Sequence, residues 1–259
     1  MRKTAIVTGV GGAIGAAVAA ALIKEGVSVI GTSTRAQIVA HEMRKEIASG
    51  ALEIVQLDFL ERKQIDLFIK DFSKRDIDIL VNNAAVFVDD SRTKSEDSIF
   101  NYSIDELEHT LQVNCSGAFR LCWAFMPSMI QRNHGRIVNV SSGMGRVMDI
   151  CSRSTFYSLS KLLLNGMTIA LADAARNTDV LVNAVCPGWT RSLMGGADAP
   201  NDPKNAATQI VRLALLPAGG SQGRFWRNHK ELDWSYSLRG ERRMIRLSEL
   251  DEISAHSVD

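Results

Sequence analysis

The feature that most constrains the fold of this 259-residue chain is a repeated alternation of short apolar runs with helix-length segments. The apolar runs are rich in Val, Ile and Leu without polar alternation, which is typical of strands covered on both faces. This alternation predicts a Rossmann-type α/β fold: a doubly wound parallel sheet of about seven strands with right-handed crossovers and helices on both faces.

The predicted elements cover most of the chain. The predicted strands are Ala5–Thr8, Val27–Thr32, Leu52–Leu57, Ile77–Asn82, Arg136–Val140, Val180–Val185 and Gly223–Trp226. Helix-like stretches include Ile14–Lys24, Gln37–Ala48, Arg62–Ser73, Ile104–Arg132 and Thr155–Ala174. We expect one domain over 1–234 that carries both the cofactor and the substrate site. The charged extension 235–259 has no assigned role and is interpreted as a solvated face, a partner contact or disordered chain.

Composition narrows the function classes. The net charge is +1, which gives no electrostatic reason to expect a nucleic-acid or membrane partner. No apolar run approaches the roughly 18 residues of a membrane span, and no signal-peptide pattern precedes the first strand, so we expect a cytoplasmic protein. The four cysteines lack metal-ligand spacing; we expect reduced thiols and no metal.

A glycine-rich turn follows the first predicted strand, with the sequence Thr8-Gly-Val-Gly-Gly-Ala-Ile-Gly15. Glycines at a strand-to-helix turn let the backbone approach a pyrophosphate, and the following helix N-terminus offers free N–H groups. This predicts dinucleotide contacts at Gly9, Gly11, Gly12 and Ile14. The spacing is not the compact GxGxxG fingerprint, so an ordinary glycine-rich turn is the alternative.

The end of the second strand bears on the choice of dinucleotide. An NAD site usually places an acid here, whereas this chain has Ser33, Thr34 and Arg35, a set suited to a 2′-phosphate. A plain surface arginine is the alternative. Asp58 and Phe59 end the third strand, within reach of an adenine, although Asp58 is equally well interpreted as a turn or helix cap.

Polar motifs also close the later strands. Asn83-Ala84-Ala85 closes the fourth, Ser142 follows the fifth, and Pro187–Ser192 follows the sixth. Tyr157 and Lys161 are four residues apart, so they share one helix face. Because ligands of open α/β sheets bind outside the carboxyl ends of the strands, these segments are expected to form one crevice.

In these motifs the chain resembles the short-chain dehydrogenase/reductase family, and within it carbonyl-reductase-type members. The resemblance implies catalytic roles for Asn114, Ser142, Tyr157 and Lys161. It implies cofactor contacts at Gly9, Gly11, Gly12, Ile14, Thr34, Arg35, Asp58, Phe59, Asn83, Ala84, Ala85, Tyr157, Lys161, Pro187, Gly188, Thr190 and Ser192. Ala13 and Ala85 stand where the family has glycine, which we expect to alter the backbone approach without abolishing binding.

The resulting hypothesis is an NADP(H)-dependent oxidoreductase that moves a hydride between the nicotinamide and a carbonyl or secondary alcohol. Tyr157 would be the acid or base, with its pKa lowered by Lys161 and the nicotinamide charge; Ser142 would bind the substrate oxygen, and Asn114 a relay water. An apolar small-molecule pocket is expected from Phe87, Met144, Met148, Cys151, Trp189 and Met194. The alternatives are an NAD-dependent alcohol dehydrogenase and a non-catalytic NADP(H)-binding sensor or scaffold. By analogy with the family we expect a homodimer or homotetramer.

Overall fold

A strand with both faces buried, β1 (Thr4–Thr8), lies inside the sheet. The computed structural model describes residues 2–89 and 99–234. The other strands are β2 (Ser28–Ser33), β3 (Leu52–Gln56), β4 (Ile79–Asn82), β5 (Gly135–Val140), β6 (Val180–Val185), β7 (Phe225–Arg227) and β8 (Lys230–Leu232). They pair in the order β3-β2-β1-β4-β5-β6-β7-β8, and all neighbours are parallel except β7 and β8. The predicted doubly wound parallel sheet is confirmed.

The helices lie between the strands along the chain. They are α1 (Ala13–Lys24), α2 (Ala36–Glu42), α3 (Arg44–Ala48), α4 (Arg62–Phe72), α5 (Ile104–Leu111), α6 (Gly117–Gln131), α7 (Thr155–Ala174) and α8 (Pro203–Ala214). Two predicted helices are interrupted. The stretch 37–48 is interrupted at Met43, whose backbone angles are not helical. The stretch 104–132 contains a π-helical turn, Gln112–Ser116.

Two apolar cores cover the two faces of the sheet because successive strand side chains point to opposite sides. In β1, Ile6 belongs to one core and Ala5 and Val7 to the other. The first core includes residues of α4, α6 and the end of α7, and the second includes residues of α1 and α8. Long helices therefore close both faces, as expected of a parallel sheet.

The eighth strand corrects the expected number of about seven strands. It returns from β7 through a two-residue turn at Asn228 and His229, both with positive φ, as a tight hairpin requires. The segment Lys230-Glu231-Leu232 has no β-branched or aromatic residue, so its composition does not indicate a strand. The hairpin of β7 and β8 adds two strands to the sheet beyond β6. Its turn lies at the carboxyl end of β7, the same side of the sheet as the polar motifs.

At the opposite, amino end of the strands, the fully buried Arg136 joins β5 to its surroundings. Its guanidinium donates to the carbonyl oxygens of Leu216, Gly135 and Asp179 at 2.6–2.8 Å, and to the Asp179 carboxylate at 3.1 Å. Partial burial raises the pKa of Asp179, but hydrogen bonds from Arg136, Gly219 and His134 outweigh this and leave it lowered. The buried positive charge of Arg136 is thus paired with the Asp179 carboxylate.

Candidate active site

A cleft of about 1240 Å³ opens at the carboxyl ends of the strands. After β3 the chain crosses back over the sheet to form β4 on the other side of β1. This reversal is the position at which open α/β sheets bind ligands, because adjacent loops diverge there. The volume exceeds that of a typical small-molecule pocket, so there is room for a dinucleotide together with a second molecule.

Every residue predicted to contact the cofactor lines this cleft. They are Gly9, Gly11, Gly12, Ile14, Thr34, Arg35, Asp58, Phe59, Asn83, Ala84, Ala85, Tyr157, Lys161, Pro187, Gly188, Thr190 and Ser192. Ser142 lines it as well, whereas Asn114 is buried behind the wall. The structure therefore brings the predicted residues together, with one of them outside direct reach of a ligand.

The glycine-rich turn has the close packing of a phosphate cradle. Gly9 has φ +73°, and a β-carbon there would lie 2.9 Å from Cα of Ala84. A β-carbon on Gly15 would overlap the carbonyl oxygen of Gly9. Gly12 is the N-cap residue of α1 and makes no side-chain hydrogen bond to the first turn of the helix. The backbone N–H groups of that turn are therefore left to bind an anion. These features fit the pyrophosphate of a dinucleotide.

The hydroxyl of Thr8 fastens the turn to the end of β4. It accepts hydrogen bonds from the backbone N–H groups of Asn83 at 2.9 Å and Ala84 at 3.0 Å. The Asn83 amide in turn donates to the Thr8 carbonyl at 2.8 Å. The two strand ends at the fold reversal are thus held in one fixed arrangement.

The end of β2 presents a cation without an accompanying acid. Thr34 and Arg35 are exposed at the cleft, and the Ser33 hydroxyl accepts a hydrogen bond from the Arg35 N–H at 3.0 Å. Asp58 accepts a hydrogen bond from the Leu60 N–H at 2.9 Å, which is the turn-capping role left open by the sequence, while it still lines the cleft. Phe59 is buried against Gly117.

Helix α7 carries Tyr157 and Lys161 into the cleft beside Ser142. The Ser142 side chain lies beside the Tyr157 phenol, close enough to lower the phenol pKa, and both residues line the cleft. Lys161 Nζ lies 5.5 Å from the Tyr157 ring centroid and donates to the Val140 carbonyl at 2.9 Å. The Phe87 ring stacks on Tyr157 with 4.4 Å between centroids.

Burial dominates the electrostatics of this pair. It raises the pKa of Tyr157, as do Cys186 and Asp89, while the Ser142 hydrogen bond lowers it; the balance is a raised pKa. Burial lowers the pKa of Lys161 to about 8, against an opposing effect of Cys115 and Cys186. The protein groups alone thus leave the pKa of Tyr157 raised, and its lowering by Lys161 together with the oxidised nicotinamide stays a prediction.

Asn114 lies in the π-helical turn between α5 and α6, a local distortion that is frequent at functional sites. Its amide nitrogen donates to the Val86 carbonyl at 2.9 Å and to the Ser160 hydroxyl at 3.0 Å, and its oxygen accepts from the Val86 N–H at 2.8 Å. Both amide protons are thus used. Asn114 joins the loop after β4 to helix α7.

Sequence reasoning missed Asp89. This carboxylate is buried and accepts hydrogen bonds from the N–H groups of Phe156 at 2.5 Å and Tyr157 at 3.1 Å. It caps the first turn of α7, whose own N-cap residue, Ser154, makes no capping side-chain hydrogen bond to that turn. Because these partners lie 67 and 68 residues away, no local pattern marks the contact.

The apolar wall is partly as expected. Phe87, Met144, Trp189 and Met194 line the cleft, and Met148 and Cys151 lie outside it. Sequence reasoning also missed Arg146, Asp149, Leu193 and Arg227 as lining residues. In the described parts of the chain, no three His, Cys, Asp or Glu residues are grouped as metal ligands, and no helix has the length and apolarity of a membrane span.

Comparison with known proteins agrees with this fold. A family model described as short chain dehydrogenase matches residues 3–202. The chain therefore belongs to the short-chain dehydrogenase family of NAD(P)-binding oxidoreductases, which act on CH–OH or C=O groups.

Several relatives have similar sequence or structure. An uncharacterized oxidoreductase of Staphylococcus aureus strain USA300 is 27% identical over 218 residues, which are 83% of this chain and 90% of that protein. Salutaridine reductase from Papaver somniferum superposes with a TM-score of 0.73 at 25% identity, covering 87% of this chain and 99% of the other. The NADPH-bound carbonyl reductase from chicken fatty liver gives 0.78 at 21% identity, covering 90% and 100%.

Proposed function

We propose that this protein is an NADP(H)-dependent oxidoreductase that interconverts a carbonyl and a secondary alcohol, with carbonyl reduction as its main direction. The observation that carries the proposal is the position of Ser142, Tyr157 and Lys161 in one cleft, with Lys161 Nζ 5.5 Å from the Tyr157 ring centroid. Hydroxyl donors that converge on one point are suited to an oxygen that gains negative charge.

The chemistry divides between protein and cofactor. When bound, NADP(H) supplies or accepts the hydride at its nicotinamide. In reduction, Tyr157 donates its phenolic proton to the substrate oxygen, and Ser142 donates a hydrogen bond to the same oxygen. In oxidation, the phenolate takes that proton back. Lys161 favours the phenolate through its positive charge.

The hydrogen bonds of Asn114 refine its proposed role. Because both of its amide protons are donated to protein groups, its side chain can bind a relay water only by accepting a hydrogen bond at the oxygen. Its main contribution is to join the Val86 backbone, in the loop after β4, to Ser160 of helix α7. We therefore assign Asn114 as a positioning residue, with a relay water as a secondary role.

Replacing Tyr157 with Phe tests the reaction. The ring can still stack on Phe87, but the proton is lost, so we expect kcat with NADPH and a reducible ketone to fall by roughly 10²- to 10⁴-fold. NADPH affinity, measured by fluorescence titration, should stay within about twofold of wild type. Retained turnover would refute the role of Tyr157. Absence of NADPH oxidation by wild type across a broad carbonyl panel would favour the non-catalytic sensor.

Arg35 supports NADP(H) over NAD(H). Its guanidinium stands at the end of β2 beside two hydroxyl residues, and it makes no ion pair with any residue in 2–89 or 99–234. The Arg35→Ala variant should bind NADPH about tenfold or more weakly, as expected for a lost charge-assisted contact, and NADH almost unchanged. An equal loss for both dinucleotides would favour the NAD-dependent alternative.

Exposed aromatic side chains on α6 support self-association. Trp123 is 73% exposed and lies 5.9 Å, ring to ring, from the partly exposed Phe119. On α7, Leu163 and Ile169 are also about half exposed. Grouped apolar side chains of this kind mark interfaces. We propose a homodimer or homotetramer built on these helices, which light scattering should detect as two or four times 28.4 kDa.

A further inference from the structure

Beyond the cofactor residues, the cleft is lined mainly by apolar side chains. Phe87 and Met144 lie near the catalytic hydroxyls, while Trp189 and Leu193 are 51% and 99% exposed. Exposed apolar residues at a cleft bury part of their surface when an apolar ligand enters. This lining fits a substrate with a hydrocarbon or aromatic body.

Three charged side chains interrupt this lining, and two of them neutralise each other. Arg146 is buried and pairs with Asp149 through two contacts, 2.7 Å from Nε and 2.5 Å from Nη2. A pair this close leaves little net charge for a ligand. The third residue, Arg227, ends strand β7 and also lines the cleft.

Arg227 is placed next to the catalytic serine by the sheet itself. Because β7 runs parallel to β6, its last residue emerges at the same sheet edge as Cys186. Arg227 Nη1 lies 3.6 Å from the point that a β-carbon on Gly143 would occupy, and Gly143 directly follows Ser142. The turn after Arg227 is braced by a hydrogen bond from the Asn228 N–H to Gln209 at 2.6 Å.

The charge of Arg227 is not compensated within the described chain. No carboxylate in 2–89 or 99–234 lies within ion-pair distance of it, whereas Arg224, which directly precedes β7, pairs with Glu231 at 3.0 Å. A guanidinium offers a planar fork of donors that matches a carboxylate. An apolar wall with one such group is suited to an amphipathic anion.

We propose that Arg227 binds a carboxylate of the substrate, so that the preferred substrate is an apolar oxo acid rather than a neutral ketone. The carboxylate would lie beside Gly143, and the carbonyl oxygen between Ser142 and Tyr157. This inference rests on the proposed oxidoreductase function for its kinetic test only.

The kinetic test compares matched substrates that differ only in charge. NADPH oxidation is followed with 5-oxohexanoate and 4-oxo-4-phenylbutanoate, and with the methyl ester of each. Wild type should favour the acid over its ester by about tenfold or more in kcat/KM, a difference of ~1.4 kcal/mol. In Arg227→Gln the acid should lose this advantage while the ester stays within twofold, and Arg227→Lys should recover part of it.

Arg224→Gln is the matched control, since it removes a cation that directly precedes β7, has its own carboxylate partner and does not line the cleft. This variant should leave kcat/KM unchanged for both the acid and its ester. An equal effect of Arg227→Gln on acid and ester, or no preference in wild type, would overturn the proposal.

A binding measurement separates this proposal from the enzyme assignment. Calorimetric titration of the NADPH complex with 3-phenylpropanoate should show binding that is lost in Arg227→Gln, and 3-phenylpropanamide should not bind measurably to either. Carboxylate binding without any ketone turnover would retain the anion site and reject the reaction. No difference between the acid and the amide would reject the anion site.

Discussion

At the residue scale, Lys161 combines two demands that oppose each other. In the proposed reaction its charge favours a phenolate, yet its ammonium is buried and donates to a backbone carbonyl. Burial lowers its pKa to about 8, so that the ammonium is near the point of losing its proton just above neutrality. Burying this ammonium lowers the free energy of unfolding, and the size of that loss depends on pH.

The pH dependence of stability tests this. Between the folded pKa of about 8 and the ordinary 10.5, the unfolded chain binds the Lys161 proton and the folded chain does not. Stability from this group therefore rises with pH through that window and is flat below it. We expect the free energy of unfolding of Lys161→Met, relative to that of wild type, to be higher at pH 7 than at pH 10.

Urea denaturation at both pH values gives the two differences in free energy of unfolding. They should differ by about 2–3 kcal/mol, because pH 10 lies about two units above the folded pKa and each unit corresponds to ~1.4 kcal/mol. Wild type and variant share all other titrating groups, so those effects cancel to first order. A difference that is the same at pH 7 and pH 10 would contradict the buried-ammonium interpretation.

At the element scale, helix α7 depends on a cap supplied from elsewhere. Asp89 satisfies two N–H groups of the first turn, one of them that of Tyr157 itself. The remote cap thus sets both where the helix begins and where the phenol stands. Unsatisfied buried N–H groups are costly, and small displacements of a catalytic group reduce rate strongly.

Replacing Asp89 with Ala should lower both stability and rate. We expect a loss of about 1–3 kcal/mol in the free energy of unfolding and a fall in kcat of roughly 10-fold or more at full folding. Asp89→Asn keeps one strong acceptor and should be intermediate. The control is Ser103→Ala, which removes the capping box of α5, a loss of about 1 kcal/mol. If both caps affect kcat equally, Asp89 has only a structural role.

The same scale shows which elements the sequence could predict. Helix α7 was predicted with its exact bounds because its periodicity is long and uninterrupted. The π-helical turn was not, since Gln112–Ser116 has no Gly or Pro to mark it, and the distortion follows from tertiary contacts of Asn114. Strand β8 was missed because pairing with β7, rather than its own composition, makes it a strand.

At the scale of the whole molecule, the fold and most of the cleft followed from the sequence. Motifs at successive strand ends must converge in a parallel sheet, so their order along the chain was sufficient. Contacts between residues far apart in the sequence did not follow: Asp89 with α7 and Arg227 with Gly143 depend on loop conformations that no local pattern encodes. The extension 235–259, expected to be charged and separate, lies outside the described residues.

Arg136 gives a prediction at this scale, because it joins β5 to the segments around Leu216 and Asp179. Arg136→Met should lower the free energy of unfolding by about 3–5 kcal/mol, since it leaves Asp179 and three carbonyl groups without their donor. Arg136→Lys should restore part of the loss. Differential scanning calorimetry measures the stability, and kcat per folded molecule should stay within twofold. A loss of kcat with unchanged stability would contradict this assignment.

The position of Arg136 has a practical consequence for redesign. It stands at one rim of the sheet, and the cleft stands at the other, separated by the length of the strands. Stabilising substitutions can therefore be concentrated around Arg136, while substitutions that change substrate specificity belong on the hairpin that carries Arg227. Gains of the two kinds should combine almost additively, because distant sites with no shared partner rarely interfere.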